Sequence, residues 1–427
     1  MRLPGRVSAA IEILAEIATR HRPAAEALKD WGKAHRFAGA GDRHAIGTLV
    51  YDSLRHRASA AFRMGDDAPR ALVLATLHDT WGMTAAAIAA LADGEHGPAA
   101  LSEGETAALS RAVADAPPHV AGDFPEWLAP SLLRVFDDQA AEEGQALAQR
   151  APIDLRANTL KTDRDKVLAA LSRFGAVEGP FAPTAIRIAA PGPEQKHVSV
   201  EAEPAHGMGW FEVQDAASQV AAALTAVKPG ERVADICAGA GGKTLALAAL
   251  MRNEGTLVAH DRDRHRLRPI FERIGRSGAG NIEVLAAEEG AKLSAGDGFD
   301  CVVVDAPCTG TGTWRRKPDA KWRLTEKTLA LRIKEQQEVL TRAAALVRPG
   351  GRLAYFTCSL LPEENTDQVK WFLERHKKYR IISYKDLWSV HLSSSVPASA
   401  DGSADTLLLT PRQHGTDGFF VAVLQNG

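Results

Sequence analysis

The sequence predicts a chain in three parts: an all-helical N-terminal region, a small α+β module and a Rossmann-like α/β domain. Three observations lead there. Up to about residue 115, apolar residues recur at spacings of three and four. Between about 120 and 210, short alternating segments mix with helical ones. From about 211, strand and helix patterns alternate, as in a parallel sheet with right-handed crossovers. The bounds drawn are 1–118, 119–210 and 211–427, and a chain of 427 residues is long enough for two or three domains.

In the helical region one stripe runs Ala9-Ala10-Ile11-x-Ile13-Leu14-x-x-Ile17 and a second runs Ile46-x-x-Leu49-Val50-x-x-Leu54. Gly39 to Asp42 breaks the chain between them, with Asp42 as the expected N-cap. Gly94 to Pro98 reads as a loop, and Pro117-Pro118 as the end of the helices and the start of a linker. In the module, Pro125-Glu126-Trp127-Leu128 opens a helix, Leu155 to Leu160 alternates like a strand, 165–174 is helical and 185–188 is a second strand. In the last domain the expected strands are 232–236, 256–260, 281–286, 301–304 and 351–356, with helices at 244–251, 262–276 and 325–347. The Ser, Ala and Asp-rich segment 389–406 is expected to be a mobile loop before a final pair of strands, 406–409 and 419–424.

Composition excludes several classes. Hydrophobic content of 45% and charged content of 24% suit a globular chain rather than a disordered one. No apolar run approaches the roughly 18 residues that span a membrane. The first 22 residues carry Glu12 and Glu16 and lack a sustained apolar run, so they read as an amphipathic helix rather than a signal peptide. Four cysteines without a secretory signal are expected to be reduced thiols in the cytoplasm. None has the close spacing of a zinc site, so no metal is expected. The net charge of −2 hides an uneven distribution: residues 315–334 carry 8 Lys/Arg against 2 Asp/Glu, while residues 71–150 carry 3 against 12. A basic cluster beside a candidate site suggests an anionic partner.

Two cysteines stand at strand ends. Cys308 lies in Asp305-Ala306-Pro307-Cys308-Thr309-Gly310-Thr311-Gly312 and Cys358 in Tyr355-Phe356-Thr357-Cys358-Ser359. In open α/β sheets ligands bind at the carboxyl ends of strands. Cys237 and Cys301, on or beside buried strands, read as small core residues. A third strand leads into Cys237-Ala238-Gly239-Ala240-Gly241-Gly242-Lys243-Thr244, a glycine-rich turn before a helix. The next strand ends at His260-Asp261, and an acid there suits ribose hydroxyls, the alternative being a helix cap. The third glycine of the dinucleotide pattern is missing, and a lysine in the loop can meet a carboxylate. Both departures favour S-adenosylmethionine over a dinucleotide.

The runs DAPCTGTGTWRRKPDAKWR (305–323) and TCSLLPEENTDQV (357–369) resemble two signature motifs of the Sun/RsmB family of S-adenosylmethionine-dependent RNA cytosine-5 methyltransferases. The Gly-Gly-Lys-Thr loop, Val213-Gln214-Asp215-x-x-Ser218-Gln219 and Thr416-Asp417-Gly418-Phe419-Phe420 are similar to further motifs of that family. Asp42-Arg43-x-x-Ile46-x-x-Leu49-Val50-Tyr51 resembles the NusB-like RNA-binding domain of its bacterial branch, which acts on ribosomal RNA. The resemblance implies a class I methyltransferase domain and a monomeric enzyme acting on RNA, with 16S ribosomal RNA as the expected partner. It implies Cys358 as the nucleophile, Cys308 as the group that assists release, and Lys243 and Asp305 beside them. The cofactor set is Cys237 to Lys243 with Asp261, Arg266, Asp305 and a third acid, Glu288 in preference to Glu289. Ala240 stands where the family has proline, a change that would loosen the turn. Arg156 and Asn158 on the module, and Arg315, Arg316 and Lys321 beyond Cys308, are the expected RNA contacts, with Lys161, Lys317 and Arg323 adding charge. Trp314 and Trp322 are expected to pack beneath their loop rather than stack on bases. Transfer RNA as substrate, and a non-catalytic assembly factor, are the alternatives.

Overall fold

The computed structural model describes residues 1–192, 198–294 and 297–427. They form two compact units. One comprises Met1–Arg150 with Trp314–Leu324 and a few residues following Ala190; the other comprises Ala151–Ala190, Val198–Thr313 and Thr325–Gly427.

The first unit is helical. Its core is built by Val7, Ala10, Ile13, Leu14 and Ile17 from the helix Leu3–Arg20 and by Ile46, Leu49, Val50 and Leu54 from the helix Ala40–Arg55. Both stripes thus face inward, as their period requires. Asp42 is not the cap of the second helix. Gly39 holds that position, and Asp42, three residues on, accepts from the Gly39 N–H at 3.2 Å. Pro117-Pro118 does not begin a linker either. Pro118 opens the short helix Pro118–Ala121, where its missing N–H costs nothing. The helices Ala129–Phe136 and Ala140–Ala148 follow, and they too belong to this unit. The compact units part at Arg150.

The second unit holds two sheets. Among the described residues the small one has four antiparallel strands: β1 Ile153–Ala157, β2 Val177–Glu178, β3 Ala185–Ile188 and β4 Phe211–Val213, in the order β2-β3-β1-β4. Leu155, Ala157, Ile186, Ile188 and Phe211 face its helix Arg164–Ala170 through Val167. The large sheet has, among the described residues, β5 Arg232–Asp235, β6 Thr256–His260, β7 Ile282–Leu285, β8 Phe299–Asp305, β9 Val347–Thr357, β10 Tyr379–Ile382, β11 Leu407–Leu409 and β12 Phe419–Asn426. Its order is β10-β12-β9-β8-β5-β6-β7, with β11 paired to β12. Strands β5 to β9 are parallel, and β12 runs antiparallel to β9. Strand order reverses between β5 and β8, the switch point where such sheets bind ligands.

Val233, Leu257, Cys301, Val303, Ala354, Phe356 and Val421 pack in one core on this sheet. Cys301 is fully buried there, and burial pushes its thiol up to about 12, as suits a core residue. The segment expected to be mobile is tied down instead. Trp388 Nε1 donates to Ser394 O, Tyr384 Oη to Pro397 O, and Leu408 N to Ser399 Oγ. Its small polar side chains serve backbone groups that no sheet ladder satisfies.

Candidate active site

Four loops leave the carboxyl ends of β5, β6, β8 and β9. The β8 and β9 loops are bound together. Ala306 N donates to Phe356 O at 2.9 Å, and Gly312 N to Cys358 O at 2.9 Å. Gly418, just before β12, donates to Gly312 O at 2.8 Å, and a Cβ on Gly312 would lie 2.1 Å from the Gly418 carbonyl oxygen. Thr311 Oγ1 accepts from Leu360 N at 2.8 Å and lies 3.1 Å from Ser359 Oγ. These contacts bring Cys308 Sγ to 3.4 Å from Cys358 Sγ. Both cysteines are free and half-buried. The bond to Cys358 and the enclosure of the loop hold the Cys308 thiol well above its ordinary value. Either sulfur can donate to the other across this contact.

A buried carboxyl braces the Cys308 loop. Glu364 accepts from Thr309 N at 2.8 Å, from Thr309 Oγ1, and from Gln336 Nε2 at 3.0 Å. Gln336 also donates to Pro307 O at 2.9 Å. Burial raises the Glu364 pKa against these bonds. On the β9 side, Asn365 Nδ2 donates to Ser359 O at 2.9 Å and Thr357 Oγ1 to Asn365 Oδ1 at 2.5 Å.

Lys243 opens the helix Gly242–Leu250 and is buried. Its Nζ lies 2.8 Å from Asp305 Oδ2 and 4.6 Å from the centre of the Phe419 ring. The pair places a cation and a carboxylate at the switch point, with Asp305 the more accessible of the two. Beneath them, burial lifts the Asp235 carboxyl to about 7, against the hydrogen bond from Thr244 Oγ1 at 2.7 Å.

The glycine turn is shaped by Gly239 and Gly241, both at positive φ. A Cβ on Gly241 would lie 2.4 Å from Ile270 Cγ1, so the position excludes any side chain twice over. The loop is not loose at Ala240: Arg273 Nη1 donates to its carbonyl at 2.9 Å. Asp261 accepts from Gly239 N at 2.9 Å and from Asp263 N at 2.8 Å. The helix cap is Asp263, which accepts from His265 N and Arg266 N, so Asp261 does not have that task. Each Asp261 oxygen keeps a second lone pair for a ribose hydroxyl. Cys237, Asp261 and Arg266 line a cavity of about 200 Å³ with Ile236, Pro307 and Val339. Pro307 puts this cavity next to Cys308. Desolvation raises the Cys237 thiol, which makes it a neutral wall rather than a nucleophile. Glu289 accepts from Ala286 N and pairs with Lys292, whereas Glu288 is exposed and, among the described residues, has no bond of its own.

Residues 222–425 match the family model described as 16S rRNA methyltransferase RsmB/F, and residues 124–195 match the ferredoxin-like domain of the same family. The chain belongs to the RsmB/F family. It is 33% identical over 310 residues to a probable ribosomal RNA small subunit methyltransferase B of Synechocystis, covering 71% of this chain and 66% of that protein. It is 36% identical over 265 residues to the ribosomal RNA small subunit methyltransferase B of Klebsiella pneumoniae, covering 59% and 57%. The chain thus spans about two thirds or less of the length of these curated relatives. The crystal structure of the protein PH0851 superposes with a TM-score of 0.74 at 26% identity, covering 99% of both chains.

Residues expected to touch RNA divide sharply in this RsmB/F chain. Arg156 is buried, and its Nε donates to Gln214 Oε1 at 2.8 Å; burial brings its pKa down to about 10. Asn158 is buried too, its Nδ2 donating to Gly209 O and Ser277 O. Lys321 is 1% exposed, donates to Arg55 O at 3.0 Å and lies near the rings of Trp314 and Trp322. Arg315 is buried, and Arg55 donates to its carbonyl. Arg316 alone of the five is exposed. The four buried side chains hold the protein together because β1 and the segment Trp314–Leu324 lie inside their units. Trp314 and Trp322 pack as expected, Trp322 Nε1 donating to Leu54 O at 2.6 Å. Glu364 and Asn365 lie in the run 357–369, but nothing in the sequence around them marked a bracing role. Gln336, inside a helix, carried no local signal.

Proposed function

We propose that this chain is an S-adenosylmethionine-dependent RNA cytosine-5 methyltransferase acting on 16S ribosomal RNA. The observation that carries the reading is the contact of two thiols, 3.4 Å apart, across adjacent strand ends. Carbon 5 of cytosine is too weak a nucleophile to take a methyl group directly. The Cys358 sulfur adds at carbon 6, and carbon 5 becomes enamine-like. Bound S-adenosylmethionine supplies the electrophilic methyl group. Transfer of the carbon 5 proton to solvent leaves its electron pair to expel the Cys358 sulfur as a thiolate. Cys308, 3.4 Å from that sulfur, assists the release.

Support for the cofactor comes from the donor set at the cavity. Asp261, which lines it, has lone pairs free for a ribose, and the neighbouring glycine turn lacks a phosphate-binding glycine pattern. Asp305 and Lys243, joined at the switch point, orient the cytosine beside the two sulfurs. The base must leave its stack to reach them. Family membership supports the ribosomal substrate.

The test is direct. Enzyme, methyl-labelled cofactor and unmodified 16S RNA are incubated, and the digested nucleosides are separated. Label in 5-methylcytosine is expected. Label absent, or on another atom, overturns the reading.

A further inference from the structure

The segment following β6 carries six arginines against two acids between Arg262 and Arg276. Four of the six are committed to partners or to the cavity wall, although Arg262 and Arg266 are themselves exposed. Arg262 pairs with Glu335, Arg273 and Arg276 pair with Glu212, and Arg266 lines the cavity beside Asp261. Arg264 and Arg268 are exposed and have no ion-pair partner among the described residues. The backbone between them is right-handed throughout. Arg268 N donates to Arg264 O at 3.0 Å, and Pro269 continues into the helix Ile270–Ser277. Arg264, Arg268 and Phe271, at spacings of four and three, therefore share one face. Phe271 is 61% exposed, among the most exposed large apolar side chains of the described residues. Gly275, four residues further, opens onto empty space.

We infer that Arg264, Arg268 and Phe271 form a binding stripe for an unpaired stretch of the substrate RNA. This rests on the RNA reading above. The stripe is about 10 Å long, by helical rise. Two unpartnered guanidiniums attract phosphates, and a flat ring at the end of the pair stacks an unpaired base. A solvated helix face would explain the arginines alone. It does not explain an uncovered phenylalanine aligned with them, because such a ring gains free energy only when something covers it. The face opposite the stripe borders the cofactor loop through Arg266 and Arg273, so RNA held here lies against the same helix that shapes the cofactor cavity.

The test uses the full chain and single-stranded fragments of small-subunit RNA, with binding followed by fluorescence anisotropy over a salt series. The double variant Arg264→Ala, Arg268→Ala is expected to bind roughly tenfold more weakly at 0.15 M salt, with a logarithmic salt slope shallower by about 1.4. The paired lysine substitutions should restore the slope. Phe271→Ala should weaken binding roughly tenfold with the slope unchanged, and Phe271→Trp should not. Unaltered cofactor affinity in each variant reports an intact neighbouring site. A double variant with wild-type slope and affinity overturns the stripe. If wild type methylates cytosine while the variants bind and turn over normally, the stripe falls and the function stands. If wild type binds RNA through the stripe but labels no cytosine, the function falls and the stripe stands. Wild type that binds no RNA overturns both.

Discussion

Cys308 and Lys321 are 13 residues apart in one motif-bearing run, and they belong to different worlds. The loop Asp305 to Thr313 hangs from the end of β8, and its cysteine meets Cys358 as its motif implies. The segment Trp314–Leu324, read as a charged RNA contact, is folded into the helical unit with Lys321, Arg315 and Trp314 buried. A strand end fixes where a loop residue points, so the thiols could be read locally. A cluster of cations has no such anchor. Its role depends on what packs against it. The arginine-rich segment after β6 makes the same point in reverse, since charge of similar density there stays at the surface, with Arg264 and Arg268 outside any ion pair among the described residues.

The sharpest break of this contrast is chemical. Cys358→Ala should abolish turnover, a loss of several orders of magnitude measured as label in 5-methylcytosine. Cys308→Ala should instead trap a covalent enzyme–RNA adduct, visible as a shifted band on a denaturing gel. An active Cys358→Ala protein would exchange the two roles.

Next comes the buried segment. Trp314→Ala should cost about 3–5 kcal/mol in stability by leaving a cavity, read from denaturant unfolding. Full stability in that variant would return the segment to the surface. Lys321→Met should leave the salt dependence of RNA binding unchanged, whereas a phosphate contact would lose about one unit of slope. The same residue sets a pH test. Burial lowers the Lys321 pKa from 10.5 to about 8. Between those values the unfolded chain binds more protons, so stability should rise as pH increases from about 8 to 10.5. The gain is of order 3 kcal/mol at most. Lys321→Met should flatten that rise, and an unchanged profile would contradict the burial.

The smallest effect is expected at the brace. Glu364→Gln keeps the size of the side chain and one acceptor for Thr309, but sets its amide against the Gln336 amide or the Thr309 N–H. Turnover should fall roughly tenfold through misplacement of the Cys308 loop, with cofactor affinity unchanged. A fall in cofactor affinity instead would make Glu364 part of the cofactor wall.

By itself the sequence determined the strand–helix alternation, the glycine turn, Asp261 and both thiols. Each is a short-range pattern: an apolar strand, a turn that only glycine permits, a polar residue at the strand end. It also determined the inward stripes of the first helices. The strands β2, β4 and β10 escaped the sequence reading; β2 has two residues and β4 three, too few to carry a period. Tertiary structure alone decided that Arg156 and Asn158 staple the small sheet, that Lys321 sits among tryptophans, and that Gln336 and Glu364 meet beneath Thr309. Those roles turn on partners distant in sequence, and desolvation changes what a charged group does without altering the local pattern around it.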